Sequence, residues 1–231
     1  MKKKEYNIEE KKKYEKLYYD KGLFLVGGAD EVGRGPLAGP VVCAAVIMPF
    51  DCDIQDIDDS KKLSEKKREM LYDEILNCAV AYDIEYVFQD VIDEINILEA
   101  TKLCMAKAIN NLKVKPDVVL VDALNGLDVN CETKAIIHGD ALSYNIGAAS
   151  IIAKVSRDRF MKELDAKFPE YGFERNKGYG TKEHMEALRK FGPCSVHRKS
   201  FLGFLGEWYE QDWNWCLWRT CCTKISSKAR L

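Results

Sequence analysis

The chain carries the stretch GADEVGRGPLAGPVV at residues 28–42, and this stretch decides the fold class. A short apolar run at 23–29 precedes the acidic pair Asp30 and Glu31, and the run at 41–48 is apolar throughout. Glycine and proline between two apolar runs favour a turn, so we expect two strands joined there. Because a strand that is apolar on both faces is usually covered on both sides, these strands should lie at the centre of a sheet.

Predicted helices and strands alternate along the rest of the chain. The expected strands are 79–88, 118–121 and 134–137, and the expected helices are 2–21, 64–77, 93–112, 143–168 and 182–191. Such alternation predicts an α/β fold, in which helices pack on the faces of a sheet. In the first helix Tyr14, Leu17 and Tyr18 form one apolar stripe, by which we expect the helix to dock on the body of the protein.

Composition limits the class of protein. A length of 231 residues suits one large domain, alone or with a small appendage. No apolar run reaches the length of a membrane span, and the N-terminus lacks the apolar segment of a signal peptide, so we expect a cytoplasmic protein without a membrane partner. The nine cysteines include no C-x-x-C pair, which favours free thiols over a zinc site. A net charge of -2 does not decide for or against nucleic acid, because cations are needed on one face only.

Acidic residues follow three of the predicted strands. These are Asp30 with Glu31, then Asp122, then Asp140. An isolated buried charge is costly, so three such positions suggest that the carboxylates converge. Mg²⁺ takes oxygen ligands, and two ions about 4 Å apart can stabilise both the attacking and the leaving oxygen of a phosphoryl displacement. The alternative is that each acid is a turn residue or a helix cap.

The glycines after the acidic pair suggest a place where a ligand approaches the backbone. Gly33 and Gly35 lack a Cβ, so backbone amides and carbonyls there can reach a ribose 2'-OH, the group that separates RNA from DNA. Arg34 between them can pair with a phosphate. Taken alone this pattern is weak, because Gly-x-Gly is common in ordinary hairpins.

The ordered motifs resemble those of bacterial ribonuclease HII, the type 2 ribonuclease H. Over residues 23–207 the resemblance is carried by 28–42, DSKKLS at 59–64, VDAL at 121–124, Gly139-Asp140, AASIIAKVSRD at 148–158, GYGTK at 178–182 with His184, and HRKSF at 197–201. It implies a ribonuclease H-like fold, with a central mixed sheet flanked by helices and a helical C-terminal extension. It also implies cleavage of RNA in RNA–DNA hybrids and on the 5' side of a single ribonucleotide in duplex DNA.

The resemblance also implies roles for individual residues. The catalytic set, holding two Mn²⁺ or Mg²⁺ ions, would be Asp30, Glu31, Asp122 and Asp140. Recognition of the RNA–DNA junction would fall to Gly33, Arg34 and Gly35, and Tyr179 would stack on the deoxyribose after the ribonucleotide. Phosphate contacts would come from Lys61, Lys62 and Ser143. For the lysines the alternative is a solvated charge cluster, and for Ser143 it is a helix cap.

The expected organisation has three segments. They are an N-terminal helix at 1–22, a catalytic domain at 23–207 that includes the C-terminal substrate-facing helices, and a Trp-rich tail at 208–231 that we expect to be poorly ordered. We expect a monomer that acts on RNA–DNA hybrid duplexes and on DNA with embedded ribonucleotides, serving ribonucleotide excision and primer removal. One departure from the family is Gly147, where alanine is common, which should weaken the helix start by about 1 kcal/mol.

Two other readings of the sequence remain open. A type 3 ribonuclease H would need a run of ribonucleotides, but it typically has Gly-Lys-Gly where this chain has Gly-Arg-Gly, and it needs room for an N-terminal accessory domain. A non-catalytic nucleic-acid-binding module would bind hybrids without metal, although all four acids are intact. A nicotinamide-binding site is weaker still, since the turn lacks the third glycine of G-x-G-x-x-G at the right spacing.

Overall fold

A mixed five-stranded sheet forms the centre of the computed structural model, which describes residues 6–205. Its strands are β1 (Val26–Val32), β2 (Val41–Ile47), β3 (Ala81–Val87), β4 (Val118–Asp122) and β5 (Glu132–Ile136), in the order β3-β2-β1-β4-β5. The pairs β1–β2 and β2–β3 are antiparallel, whereas β1–β4 and β4–β5 are parallel. The expected α/β architecture, a central mixed sheet flanked by helices, is confirmed.

Strand β1 ends with the acidic pair and one further residue. The sequence predicts the acidic residues at the end of the first strand, and Asp30 and Glu31 directly precede Val32, the last residue of β1. The antiparallel ladder continues through them, pairing Asp30 with Ala44 and Glu31 with Cys43. Cross-strand pairing with the buried strand β2 therefore overrides the low strand propensity of the acids.

The described residues form eight α-helices. They are α1 (Ile8–Lys11), α2 (Lys13–Tyr19), α3 (Glu65–Cys78), α4 (Gln89–Asn110), α5 (Gly139–Leu142), α6 (Tyr144–Lys167), α7 (Phe173–Asn176) and α8 (Lys182–Phe191). Ser64, at which the sequence predicts a helix to begin, is the N-cap of α3, and its hydroxyl accepts the N–H of Lys67 at 3.3 Å. No helix among the described residues has the length and apolar character needed to cross a membrane.

The predicted N-terminal helix at 2–21 differs in detail. Residues 1–5 lie outside the described range, and the remainder forms two short helices separated at Lys12. Tyr14 and Tyr18 pack against the apolar core of β1 and β4, as the stripe predicts. Leu17 does not, since it is 54% exposed. Helix α2 is therefore docked by a narrower face than expected.

The contacts divide the chain into two compact units. Among the described residues the first holds 6–34 and 40–160, and the second holds 35–39 and 161–205. The whole sheet and the acidic residues belong to the first unit. The segment boundaries expected from the sequence stay predictions, and the Trp-rich tail at 208–231 lies outside the described residues.

Candidate active site

Asp30 and Asp122 become neighbours through the parallel pairing of β1 with β4. Ala29 pairs with Val121, so each aspartate is the next residue on its own strand. Adjacent strands lie about 4.8 Å apart, and equivalent positions on paired strands face the same side of the sheet. Asp30 is only 5% exposed. Two carboxylates that are 92 positions apart in sequence thus share one face of the sheet.

Asp140 is brought close to Asp122 by a hydrogen bond from the preceding residue, Gly139. The N–H of Gly139 donates to Asp122 Oδ1 at 2.7 Å, which holds the start of α5 against the end of β4. Burial raises the pKa of Asp140, and the carboxylates of Asp59 and Asp122 raise it further. The sequence predicts Asp140 at a strand end. The structure places it in α5 instead, beyond β5 and still beside Asp122.

Glu31 contributes a carboxylate with one unused oxygen. Its Oε1 accepts from the Arg34 guanidinium at 3.2 Å, while Oε2 is buried without a hydrogen-bond partner. Burial raises the pKa of Glu31, Arg34 lowers it, and Asp122 raises it again, for a net rise. A buried oxygen without a donor is costly. That orphaned oxygen is a position that a cation would satisfy.

Asp30, Glu31, Asp122 and Asp140 form the acidic cluster, and its electrostatics fit a divalent cation. Burial raises the pKa of Asp30 well above its usual range, and Glu31 and Asp122 raise it further. Within residues 6–205 no three His, Cys, Asp or Glu side chains are already arranged around one ion position. Repulsion between the negatively charged carboxylates opposes their approach to a common ion position until a cation compensates their charge. The donors are all oxygens, as Mg²⁺ and Mn²⁺ prefer, so the residues fit the metal that the sequence suggests.

Two serines support Asp30, and the sequence did not identify either. The Ser150 hydroxyl forms a hydrogen bond with the Asp30 carboxylate. Ser60 Oγ lies 3.0 Å from Ser150 Oγ, and both serines are buried. The sequence treats the first turns of α6 as a packed helix face, and that reading hid Ser150. Asp59, the residue before Ser60, is a further acid beside Asp140 that the sequence passed over.

The two lysines of the basic loop lie in different surroundings. Burial lowers the pKa of Lys61, but the carboxylates of Asp59, Asp140, Asp30 and Asp122 raise it to a value above the usual one. Lys61 therefore lies within electrostatic range of these four acids. Lys62 instead lies 3.4 Å from Asp58 in an ion pair at the surface.

The Gly-Arg-Gly turn is shaped partly by the protein interior. Gly33 has φ +95°, and a Cβ there would lie 2.2 Å from Arg157 Nε and 2.8 Å from the Pro40 carbonyl oxygen. The buried Arg157 side chain donates from Nε to that same carbonyl at 3.0 Å. The missing Cβ of Gly33 thus makes room for Arg157. Arg34 is half exposed beside Glu31, so it links the turn to the acidic cluster.

Ser143 is placed as a helix cap. It is fully buried, its Oγ accepts the N–H of Ile146 at 3.2 Å, and its hydroxyl donates to Glu15 at 2.5 Å. Both bonds are internal to the protein. The cap alternative left open by the sequence describes this geometry, and in this conformation the hydroxyl does not face solvent.

In the second unit the Tyr179 side chain lies at the surface, while its backbone carbonyl is hydrogen-bonded to His184. This side chain is 44% exposed, and a Cβ on Gly35 would lie 3.6 Å from its ring. The Cys194 N–H donates to His197 Nδ1, so the proton of His197 is on Nε2 and is donated to His184 Nε2 at 2.9 Å. His184 must then donate from Nδ1 to the Tyr179 carbonyl, also at 2.9 Å. Burial lowers the pKa of His184 and lowers that of His197 to about 3. Both imidazoles are therefore neutral at pH 7.

Comparison with known proteins identifies the family. The family model described as Ribonuclease HII matches residues 27–203. A Ribonuclease HII of Acetivibrio thermocellus is 55% identical over 188 residues, which cover 81% of this chain and 73% of the relative. A Ribonuclease HII of Bacillus subtilis has the same identity and coverage. The matched range contains all four acids proposed as metal ligands.

A solved structure supports the fold independently. The crystal structure of ribonuclease H2 from Pyrococcus horikoshii superposes with a TM-score of 0.66 at 28% identity, covering 76% of this chain and 92% of that one. The mixed five-stranded sheet with its helices therefore has the ribonuclease H-like fold expected from the sequence.

Proposed function

Because the chain belongs to the ribonuclease HII family and is an endonuclease of the ribonuclease H class, we propose that it cuts on the 5' side of single ribonucleotides embedded in duplex DNA, as well as within the RNA strand of hybrids. The observation that carries the proposal is the convergence of Asp30 and Asp122 on paired strands, with Asp140 tied to Asp122 through Gly139. The cellular role would be removal of ribonucleotides and RNA primers from DNA.

The four carboxylates Asp30, Glu31, Asp122 and Asp140 would hold two divalent ions, Mn²⁺ or Mg²⁺. When bound, such ions activate water and stabilise the negative charge that develops on the leaving oxygen. Ser150 would hold the Asp30 carboxylate in place, and Arg34 would do the same for one oxygen of Glu31. The reaction breaks the bond between phosphorus and the 3' oxygen, leaving a 3'-OH on the upstream DNA and a 5'-phosphate on the ribonucleotide.

Substrate recognition would come from the turn and from the exposed tyrosine. Backbone groups of Gly33, Arg34 and Gly35 would read the 2'-OH, and the Tyr179 ring would stack on the following deoxyribose. Lys61, which lies within electrostatic range of the acids, is the better placed of the two lysines for the scissile phosphate, and Lys62 would serve a phosphate further away. A phosphate contact of Ser143 would require the residue to leave its buried cap.

We further propose the wider setting expected from the sequence. The enzyme would work as a cytoplasmic monomer, with the catalytic domain at 23–207 between an N-terminal helix and a Trp-rich tail. A monomer suffices because the four proposed ligands come from one chain.

Cleavage of three end-labelled duplexes tests the function. One carries a single ribonucleotide, one a run of four, and one is all DNA, each incubated with Mn²⁺, with Mg²⁺ or with EDTA. We expect metal-dependent cutting on the 5' side of the single ribonucleotide and no cutting of all-DNA duplex. Cutting of the run alone would favour a type 3 specificity. Metal-independent products ending in a 2',3'-cyclic phosphate would contradict the proposed chemistry, because the 2'-OH would then be the nucleophile.

A further inference from the structure

A carboxylate from the N-terminal helices is buried at the start of α6. Glu15 is 0% exposed, and its Oε1 accepts two hydrogen bonds, from the Ser143 hydroxyl at 2.5 Å and from the Asn145 N–H at 3.0 Å. The Glu15 Oε2 is buried and has no hydrogen-bond partner. Burial raises the pKa of Glu15, and these hydrogen bonds lower it.

A buried glutamate such as Glu15 destabilises the fold if its only role is to pack against its neighbours. Burying a carboxyl costs free energy that an apolar side chain of similar size would not cost. What Glu15 provides, and an apolar residue would not, is directional hydrogen bonding to Ser143, which joins α5 to α6, and to Asn145 in the first turn of α6. A specific geometry at the junction of α5 with α6 is therefore the natural reason for the carboxyl group.

Lys11 holds the same junction from the α5 side. Its Nζ donates to the Ala141 carbonyl and to Asp58 Oδ1, each at 2.6 Å. Lys11 and Glu15 are four residues apart, the spacing that places side chains on one helical face, although the chain breaks its helix between them at Lys12. Both side chains thus reach the connection from α5 to α6.

Asp140 lies immediately before these contacts in the chain. It directly precedes Ala141, and it is three residues before Ser143. Its own side chain makes a local hydrogen bond, in which Asp140 Oδ1 accepts the Ala141 N–H at 2.8 Å. The contacts of Lys11 and Glu15 therefore restrain the backbone that follows Asp140, while the Gly139 N–H bond to Asp122 restrains the backbone that precedes it.

We propose that Lys11 and Glu15 are positioning residues that hold Asp140 in place for metal binding. The inference rests on the proposed function, because it takes Asp140 as a metal ligand. It gives the N-terminal helices a part in the active site, although both residues precede the range matched by the family model. A substitution at either position should then weaken metal binding in protein that is still folded.

The Mn²⁺ concentration that half-saturates cleavage is the quantity to measure. For Glu15→Ala and for Lys11→Met we expect the half-saturating Mn²⁺ concentration to rise about tenfold. This is the lower end of the loss of metal affinity seen when a group that supports a metal ligand is removed. The value of kcat at saturating Mn²⁺ should change little. Glu15→Gln keeps an acceptor oxygen and should stay near the parent value. All assays run well below the unfolding midpoint of each variant, measured separately by circular dichroism.

Lys12→Met is the matched control for loss of docking. The Lys12 side chain is 7% exposed and that of Lys11 12%. Lys12 Nζ donates to the Phe50 carbonyl and to Asp53, and its contact with the start of α6 is a cation–π contact 5.1 Å from the Tyr144 ring centroid, whereas Lys11 donates a hydrogen bond to the Ala141 backbone. This variant should lose stability and keep the parent half-saturating concentration. An equal rise in Lys12→Met and Lys11→Met, or no rise in either Glu15→Ala or Lys11→Met, overturns the proposal.

Binding of Mn²⁺ without nucleic acid distinguishes failure of the proposed function from failure of the positioning role of Lys11 and Glu15. If the parent protein binds no Mn²⁺ and cuts nothing, the proposed function fails. If the parent binds and cuts while Glu15→Ala and Lys11→Met bind Mn²⁺ as tightly as it does, only the positioning role fails.

Discussion

Asp30→Asn is expected to lower kcat/KM on a duplex with one ribonucleotide by about a thousandfold or more, since loss of a metal ligand removes several kcal/mol of transition-state stabilisation and each 1.36 kcal/mol is tenfold. Asparagine has the size of aspartate and can still accept from Ser150 and from the Glu31 N–H. It removes the charge and replaces one carboxylate oxygen with an NH2 group that cannot bind a metal ion. The measurement is steady-state cleavage with Mn²⁺ and, separately, with Mg²⁺.

The control for this variant is Asp128→Asn. Asp128 is an exposed acid in the loop before β5, so the same change of charge there should leave kcat/KM near the parent value. The unfolding midpoint of Asp30→Asn should equal or exceed that of the parent, because neutralising one member of a repelling, buried group relieves strain. Undiminished cleavage by Asp30→Asn would contradict the carboxylate mechanism.

Gly28→Ala is expected to lower the free energy of unfolding by about 3 kcal/mol, the upper range for forcing extra atoms into a packed core. A Cβ at Gly28 would lie 2.2 Å from the carbonyl carbon of Asn145 and 2.4 Å from the Ile146 nitrogen. Both are backbone atoms of α6, so no side chain can rotate away. Strand β1 and helix α6 would have to move apart, which would also break the bond from Asn145 Nδ2 to the Val26 carbonyl.

Gly27→Ala provides a matched control on the preceding residue of the same strand. Its Cβ would meet chiefly the side chain of Val119, with Cγ2 at 3.1 Å. That contact is tight but can be relieved by a small shift, so the loss of stability should be clearly smaller. Urea unfolding of both variants measures the difference. Equal midpoints for the two variants would show that the close approach of α6 to Gly28 does not limit stability.

Local features of the chain could be predicted from sequence. Ser64 is the first residue of the helix predicted at 64–77, and it caps α3. Helix α8 has the predicted bounds. The continuous apolar run at 41–48 gave the buried central strand β2, whose residues are all buried. In each case the signal lies within a few residues of the structure it determines.

The arrangement of the acids could be predicted only in outline. That Asp30 and Asp122 follow apolar stretches is visible in the sequence, but the parallel pairing that makes them neighbours depends on register across distant strands. The extension of β1 through Asp30 and Glu31 depends likewise on pairing with β2. Ser150 looked like part of a packed helix face until its partner Asp30 was known.

Glu15 shows why buried polar residues are missed. The apolar spacing in its helix drew attention to Tyr14, Leu17 and Tyr18, yet Leu17 is exposed and Glu15 is fully buried. The groups that satisfy Glu15 lie about 130 positions further along the chain. Nothing local distinguishes such a glutamate from the solvated ones around it, so only the three-dimensional structure separates them.

The most direct test of the two-ion centre is the number and spacing of bound Mn²⁺ ions. Electron paramagnetic resonance of the protein, titrated with Mn²⁺ in the presence of a duplex that cannot be cut, reports both quantities. We predict two ions per chain that are magnetically coupled, as expected for ions about 4 Å apart, and loss of the coupled signal in Asp30→Asn. A single uncoupled ion, or a coupled pair that survives Asp30→Asn unchanged, would contradict the account.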